Sequence, residues 1–236
     1  MATPVIFVPG FMQRGSAWAP VAELLPERYP RVLLDHEEHT LDGRLDEIAR
    51  TAGEGPAALC GYSLGGRMAL LAALRDPRPY AALVTVGAGA GIDEPAARSA
   101  RAEADERLAA WVEATPIEDV VSIWERQPLF ADQSDALVAD QRPGRLSHDP
   151  RELALLLRTA GQGAIDPFWF ELGRLERPVL ALAGSRDRRY TAAGRRIARE
   201  APLARAEVVE GAGHAPQLQR PEAVAALITG FLEELG

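Results

Sequence analysis

Ser63 lies in Gly61-Tyr62-Ser63-Leu64-Gly65, between an apolar run at 57–60 and a helix-like stretch at 64–75. A serine at a sharp strand-to-helix turn needs small residues two positions away on either side, because larger side chains would collide with neighbouring backbone. Gly61 and Gly65 meet that demand. Such a turn lifts the hydroxyl above the sheet and aims the first amides of the following helix at a bound group. The hydroxyl is inert until a histidine takes its proton and a carboxylate fixes the imidazole tautomer. Asp187, in Gly184-Ser185-Arg186-Asp187, and His214, in Gly211-Ala212-Gly213-His214, each follow a late apolar run and can fill those roles. Taken singly, Ser63 reads equally as a helix cap, Asp187 as a turn residue and His214 as a loop residue. Together, their order and strand context point to a catalytic set. Developing negative charge would be met by the backbone N–H groups of Leu64 and of Phe11, which follows Gly10 after the first apolar run.

Arg67 stands one turn past Ser63, in the first turn of the expected helix, where the helix dipole disfavours a cation. That placement suggests a carboxylate held over the serine. Two further patterns carry less. His36-Glu37-Glu38-His39 spaces its histidines three apart where a zinc-protease helix needs four, and Gly87-Ala88-Gly89-Ala90-Gly91 misses the dinucleotide spacing at Ile92. His36, His39 and His148 are read as surface residues.

The elements that must position these residues follow from hydrophobic periodicity. Short apolar runs at 5–8, 31–34, 57–60 and 81–86 alternate with amphipathic stretches, which implies βαβ units and a mostly parallel sheet flanked by helices. From about 92 to about 172 only helix-like segments occur, at 93–113, 116–126 and 150–160. Alternation resumes with strands at 179–183 and 206–209 and helices at 192–201 and 221–235. The chain is therefore an α/β domain, with residues 1–91 and 173–236 as its core and residues 92–172 inserted as a helical cap.

Composition narrows the chemistry. The chain of 236 residues is 47% hydrophobic and carries a net charge of -8, which gives no electrostatic support for a nucleic-acid or membrane-surface partner. All 26 basic residues are arginines, so Schiff-base lysines and lysine phosphate loops are excluded. No asparagine is present, which removes glycosylation acceptors and a Cys-His-Asn protease set. Cys60 is the single cysteine, expected as a buried small hydrophobe without disulfide or thiolate metal site. No secretory pattern or membrane-length run occurs, so a cytoplasmic location is expected; Arg67 points to a small anionic substrate, and a monomer or small homo-oligomer is the expected state.

The order serine, aspartate, histidine on strand exits resembles that of the α/β-hydrolase fold. Gly61-Tyr62-Ser63-Leu64-Gly65-Gly66-Arg67-Met68-Ala69-Leu70 further resembles the 2-succinyl-6-hydroxy-2,4-cyclohexadiene-1-carboxylate synthase family of menaquinone biosynthesis. Trp124-Glu125-Arg126-Gln127-Pro128-Leu129-Phe130 is similar to that family's W-x-x-Q-P-[LV]-F stretch, a much more specific motif. The resemblance implies a pyruvate-eliminating lyase without cofactor or metal, whose triad serine acts as a base and forms no acyl-enzyme. It also implies substrate-binding roles for Tyr62, Arg67, Arg101, Trp124 and Arg145. Beside those roles, Arg101 at helical spacing could pair with Asp105 and Arg98 with Glu94, while Arg145 falls in a Pro-Gly segment read as a loop. The chain departs from the family's usual residues at Pro9-Gly10, at Asp35-His36-Glu37-Glu38-His39 and at Gln217. The same triad working covalently would make a serine carboxylesterase or C–C bond hydrolase, and a non-catalytic ligand-binding protein is the third reading.

Overall fold

The computed structural model describes residues 3–236. In chain order the elements are β1 (Val5–Val8), α1 (Ala19–Ala22), β2 (Arg31–Leu33), α2 (Leu41–Ala52), β3 (Ala57–Tyr62), α3 (Leu64–Arg75), β4 (Tyr80–Val86), α4 (Pro95–Glu113) and α5 (Ile117–Trp124). There follow α6 (Asp135–Leu146), α7 (Pro150–Ala160), β5 (Val179–Gly184), α8 (Arg188–Glu200), β6 (Ala204–Val209), α9 (Pro216–Gln219) and α10 (Pro221–Glu233). The strands form one sheet in the order β2-β1-β3-β4-β5-β6, and every neighbouring pair is parallel.

Alternation along each strand divides the core between the two faces of this sheet. Ile6 and Val8 of β1 join Ile48 of α2, Met68 of α3 and Ile197 of α8 on one face. Val5 and Phe7 join Val21 of α1 and Val224, Ile228 and Phe231 of α10 on the other. Because helices cover both faces, β3 and β5 are buried at every position and read as continuous apolar runs. Cys60 belongs to the second face and is fully buried, and burial pushes its thiol pKa up. Among the described residues no helix is long and apolar enough to cross a membrane.

Between β4 and β5 the chain forms only helices. Their apolar faces make a third cluster, in which Ala109 and Val112 of α4, Val120 and Val121 of α5, and Leu153 and Leu157 of α7 surround Met12. Met12 comes from the loop after β1, so the insertion is packed onto the core through that loop. Asp149 caps α7 by accepting from the amides of Arg151 and Glu152, and Pro150 occupies the first helical position, where its missing N–H is harmless.

One segment corrects the sequence reading. Pro143-Gly144 lies inside α6 and not in a loop, so Arg142 and Arg145 are helical. An interior proline costs roughly 3 kcal/mol of helix propensity, but tertiary contacts override it here. Ser134 caps the helix by accepting from the Leu137 amide, and both arginines pair with the buried carboxylate of Glu125, the residue that follows α5.

Candidate active site

Tyr62 ends β3 and Ser63 starts the turn into α3 with φ 51° and ψ -110°, a strained conformation for a residue with a side chain. The close approach explains the glycines. A Cβ on Gly61 would stand 2.3 Å from the Gly65 carbonyl oxygen, and one on Gly65 would stand 2.3 Å from that of Val8. The turn presents Ser63 Oγ to His214, whose Nε2 lies 3.2 Å away. His214 Nδ1 lies 2.7 Å from Asp187 Oδ2. The carboxylate fixes the proton on Nδ1, which leaves Nε2 free to accept from the serine hydroxyl.

Asp187 is held by its own helix. Its Oδ1 accepts from the Tyr190 amide at 3.1 Å and so caps α8. The imidazole is 3% exposed and lies between aromatic rings, with centroids 4.6 Å from Tyr190 and 5.3 Å from Tyr62. The backbone amides of Phe11 and Leu64 have no acceptor among the described residues, so both are available to a bound oxyanion.

Ser63 opens into a cavity of about 250 Å³, and every residue singled out from the sequence lines it: Phe11, Tyr62, Leu64, Arg67, Arg101, Trp124, Arg145, Asp187 and His214 beside the serine itself. Their states differ. Arg145 is buried and its Nη1 meets Glu125 Oε1 at 3.0 Å. Arg101 Nε meets Asp105 Oδ1 at 2.7 Å, the helix pair anticipated from spacing, while the side chain also faces the cavity. Arg67 is 7% exposed and has no acid partner; its Nη1 reaches only the carbonyls of Ala160 and Gly161, at 3.4 and 3.5 Å, and its Nε has none. Burial lowers its pKa, and the nearby Arg101 and Arg189 add repulsion. Burial likewise pushes the Tyr62 phenol up, so it stays a neutral hydrogen-bonding group.

Trp124 stacks in a tilted arrangement between Phe11 and Phe130, at 5.1 and 5.8 Å, and roofs the cavity with an apolar wall. Arg98 pairs with Asp166 at 3.5 Å in place of Glu94, whose carboxylate instead caps α4.

Sequence reasoning missed Gln162, Arg189 and Tyr190, which also line the cavity. Gln162 donates to the Tyr190 hydroxyl at 2.7 Å and accepts from Arg189 at 2.8 Å. A signal existed for Arg189: it is a cation in the first turn of α8, the same unfavourable placement that marked Arg67. The histidines read as surface residues are not all exposed. His36 is buried with Nδ1 2.6 Å from Glu47 Oε2, His148 is half-buried, and His39 pairs with Glu152 at 3.1 Å. Burial holds the His148 pKa down at about 4.

A serine, histidine and aspartate relayed across the ends of a parallel sheet define the α/β-hydrolase class. The Alpha/beta hydrolase family model matches residues 5–227, and the chain belongs to that family. Within it, the chain is 29% identical to the 2-succinyl-6-hydroxy-2,4-cyclohexadiene-1-carboxylate synthase of Enterobacter sp. (strain 638), over 97% of this chain and 91% of the relative. It is 28% identical to the synthase of that name from Citrobacter koseri, over 93% and 90%. MenH from S. aureus superposes with a TM-score of 0.92 at 26% identity, covering 100% of this chain and 95% of that one. A thermophilic esterase from Thermogutta terrifontis shares the fold, with a TM-score of 0.82 at 23% identity over 99% and 90%.

Proposed function

We propose that the protein is a pyruvate-eliminating lyase of menaquinone biosynthesis, forming 2-succinyl-6-hydroxy-2,4-cyclohexadiene-1-carboxylate. Ser63 acts as the base. His214 Nε2 receives the Ser63 hydroxyl proton as the serine oxygen removes a proton from a substrate ring carbon; that electron pair forms a ring double bond while the C–O bond to the enolpyruvyl group breaks, and the departing enolate takes the proton from the imidazolium and leaves as pyruvate, without an acyl-enzyme. Asp187 holds the imidazole in its working tautomer and balances the imidazolium. The amides of Phe11 and Leu64 meet the oxygen on which charge develops. Arg67, Arg101 and Arg145 take substrate carboxylates, with Tyr62 and Trp124 bounding the ring. A cytoplasmic setting belongs to the same proposal.

One observation carries this reading above the others: a buried guanidinium without an acid partner, Arg67, shares the cavity of Ser63. An enzyme for neutral esters has no use for that charge, whereas a polyanionic substrate offsets its desolvation. The test is pyruvate release from the succinyl-enolpyruvyl precursor by purified protein, followed by intact mass during turnover. Release with no Ser63 adduct is expected, and it disappears in Ser63→Ala. Failure of wild-type protein to release pyruvate would remove the assignment.

A second reading, a serine carboxylesterase or C–C bond hydrolase, draws on the apolar share of the same lining, Leu108, Leu129, Leu156 and Leu157. It requires a product burst and a trapped acyl group on Ser63 with simple esters.

A further inference from the structure

A second cavity, of about 360 Å³, lies behind the catalytic one. The two share Arg67, Gln162, Arg189 and Tyr190, which therefore form the wall between them. The wall is tied together by hydrogen bonds from Gln162 to the Tyr190 hydroxyl and from Arg189 to Gln162. Its Tyr190 ring rests against the catalytic imidazole at 4.6 Å. Beyond the wall, the second cavity is lined by Gly89 and Gly91 after β4, by Trp169, and by Ala192, Ala193, Arg196 and Arg199 of α8.

The charge of this compartment is unusual in a chain of net charge -8. Four arginines and no carboxylate line it. Arg196 is partly neutralised, since it pairs with Asp93 and Glu200 while its guanidinium lies 4.1 Å from the Trp169 ring centroid. Arg67, Arg189 and Arg199 have no acid partner within ion-pair distance among the described residues. Arg67 is buried with an unpartnered Nε, while Arg189 and Arg199 are exposed, so the cavity runs from exposed cations to a buried one. Burial and the proximity of Arg101 and Arg189 already disfavour charge on Arg67. A bound anion relieves that repulsion and satisfies the vacant donors.

We infer that this rear cavity is a binding site for small carboxylates, distinct from the catalytic cavity and joined to it through the Arg67–Gln162–Tyr190 wall. Its guanidinium lining suits a small mono- or dicarboxylate, and its volume leaves ample room for one. If the proposed elimination is correct, the departing 2-oxo acid is its natural occupant, received by Arg67 on one side of the wall and passed to Arg189 and Arg199 on the other. The carboxylate site itself is tested without turnover, so its failure and the failure of the proposed reaction are separable.

The experiment titrates the intact protein with sodium pyruvate and with succinate, read by calorimetry and by tryptophan fluorescence. Trp169 lines only the rear cavity and Trp124 only the catalytic one. Both carboxylates are expected to bind, and the fluorescence change should vanish in Trp169→Phe while persisting in Trp124→Phe. Ala192→Glu, which places a competing carboxylate on the exposed side, and Arg199→Ala should each raise the dissociation constant about tenfold, the scale of one lost charge-assisted hydrogen bond. Arg199→Lys should recover part of the loss. Unchanged affinity in both Ala192→Glu and Arg199→Ala, a signal that follows Trp124 in place of Trp169, or no binding of either carboxylate would each overturn the inference.

Discussion

The two oxygens of Asp187 serve different partners: Oδ2 meets His214 Nδ1 and Oδ1 accepts from the Tyr190 amide at the start of α8. Substitution can therefore separate orientation from helix capping. Asp187→Asn keeps an oxygen for the cap but presents the wrong hydrogen-bonding pattern to Nδ1, so kcat should fall on the order of 10⁴-fold with little change in melting temperature. Asp187→Ala should lose that activity and, in addition, about 1 kcal/mol of stability through the cap. Steady-state pyruvate release and thermal denaturation of the two variants check the difference. Arg67 predicts the opposite combination. Replacing a buried cation that has no acid partner with a side chain of similar length removes a desolvation cost, so Arg67→Met should melt at or above the wild-type temperature. It should also lose roughly 10- to 100-fold in kcat/KM, the worth of a hydrogen bond to a charged group. A variant that loses stability and keeps activity would show that Arg67 serves the fold alone.

The elements differ in how openly the sequence announces them. Strands β1, β3, β4 and β5 are runs of apolar residues buried on both faces, and α3 was readable over its full span because glycine flanks and a buried face agree. The catalytic residues sit where these elements end, so strand and helix boundaries located them. Helix α6 was hidden because Pro143-Gly144 is a local breaking signal, and only a partner 20 residues earlier, Glu125, explains why the helix continues to Arg145. No local pattern reports such a pairing. Gln162 was equally silent, since its value lies in reaching Tyr190 and Arg189 on α8. The α5–α6 pairing yields a prediction at this scale: Glu125→Gln leaves Arg145 buried beside a neutral amide and should destabilise the protein by roughly 3–5 kcal/mol in urea denaturation. The shortfall should shrink in Glu125→Gln combined with Arg145→Met, because the orphaned charge is then removed as well.

For the molecule as a whole, the seam between core and insertion holds His39 and His148 and carries an acid sensitivity of its own. His148 follows α6, near Arg14 of the β1 loop and Arg44 of α2, with its Nε2 buried and unpartnered. The unfolded chain protonates such an imidazole near 6.5, the folded one only near 4, owing first to burial and then to the two arginines. Between those values the unfolded state holds more protons, so stability is fully present above about pH 6.5 and declines as the pH drops toward 4. The loss should be on the order of 2–3 kcal/mol, and urea denaturation across that range should show it diminished in His148→Gln. Arg14 also donates to Ser147, at 2.8 Å to its hydroxyl and 2.7 Å to its carbonyl, so the β1 loop is fastened to the insertion twice, here and through Met12. Phe11 lies in the same loop, its ring against Trp124. Grafting a different lid onto this scaffold to change its substrate would thus disturb the Phe11 amide, a donor that no side-chain mutation can restore. Variants with new specificity should arise more readily by altering side chains beneath the existing lid than by exchanging the lid itself.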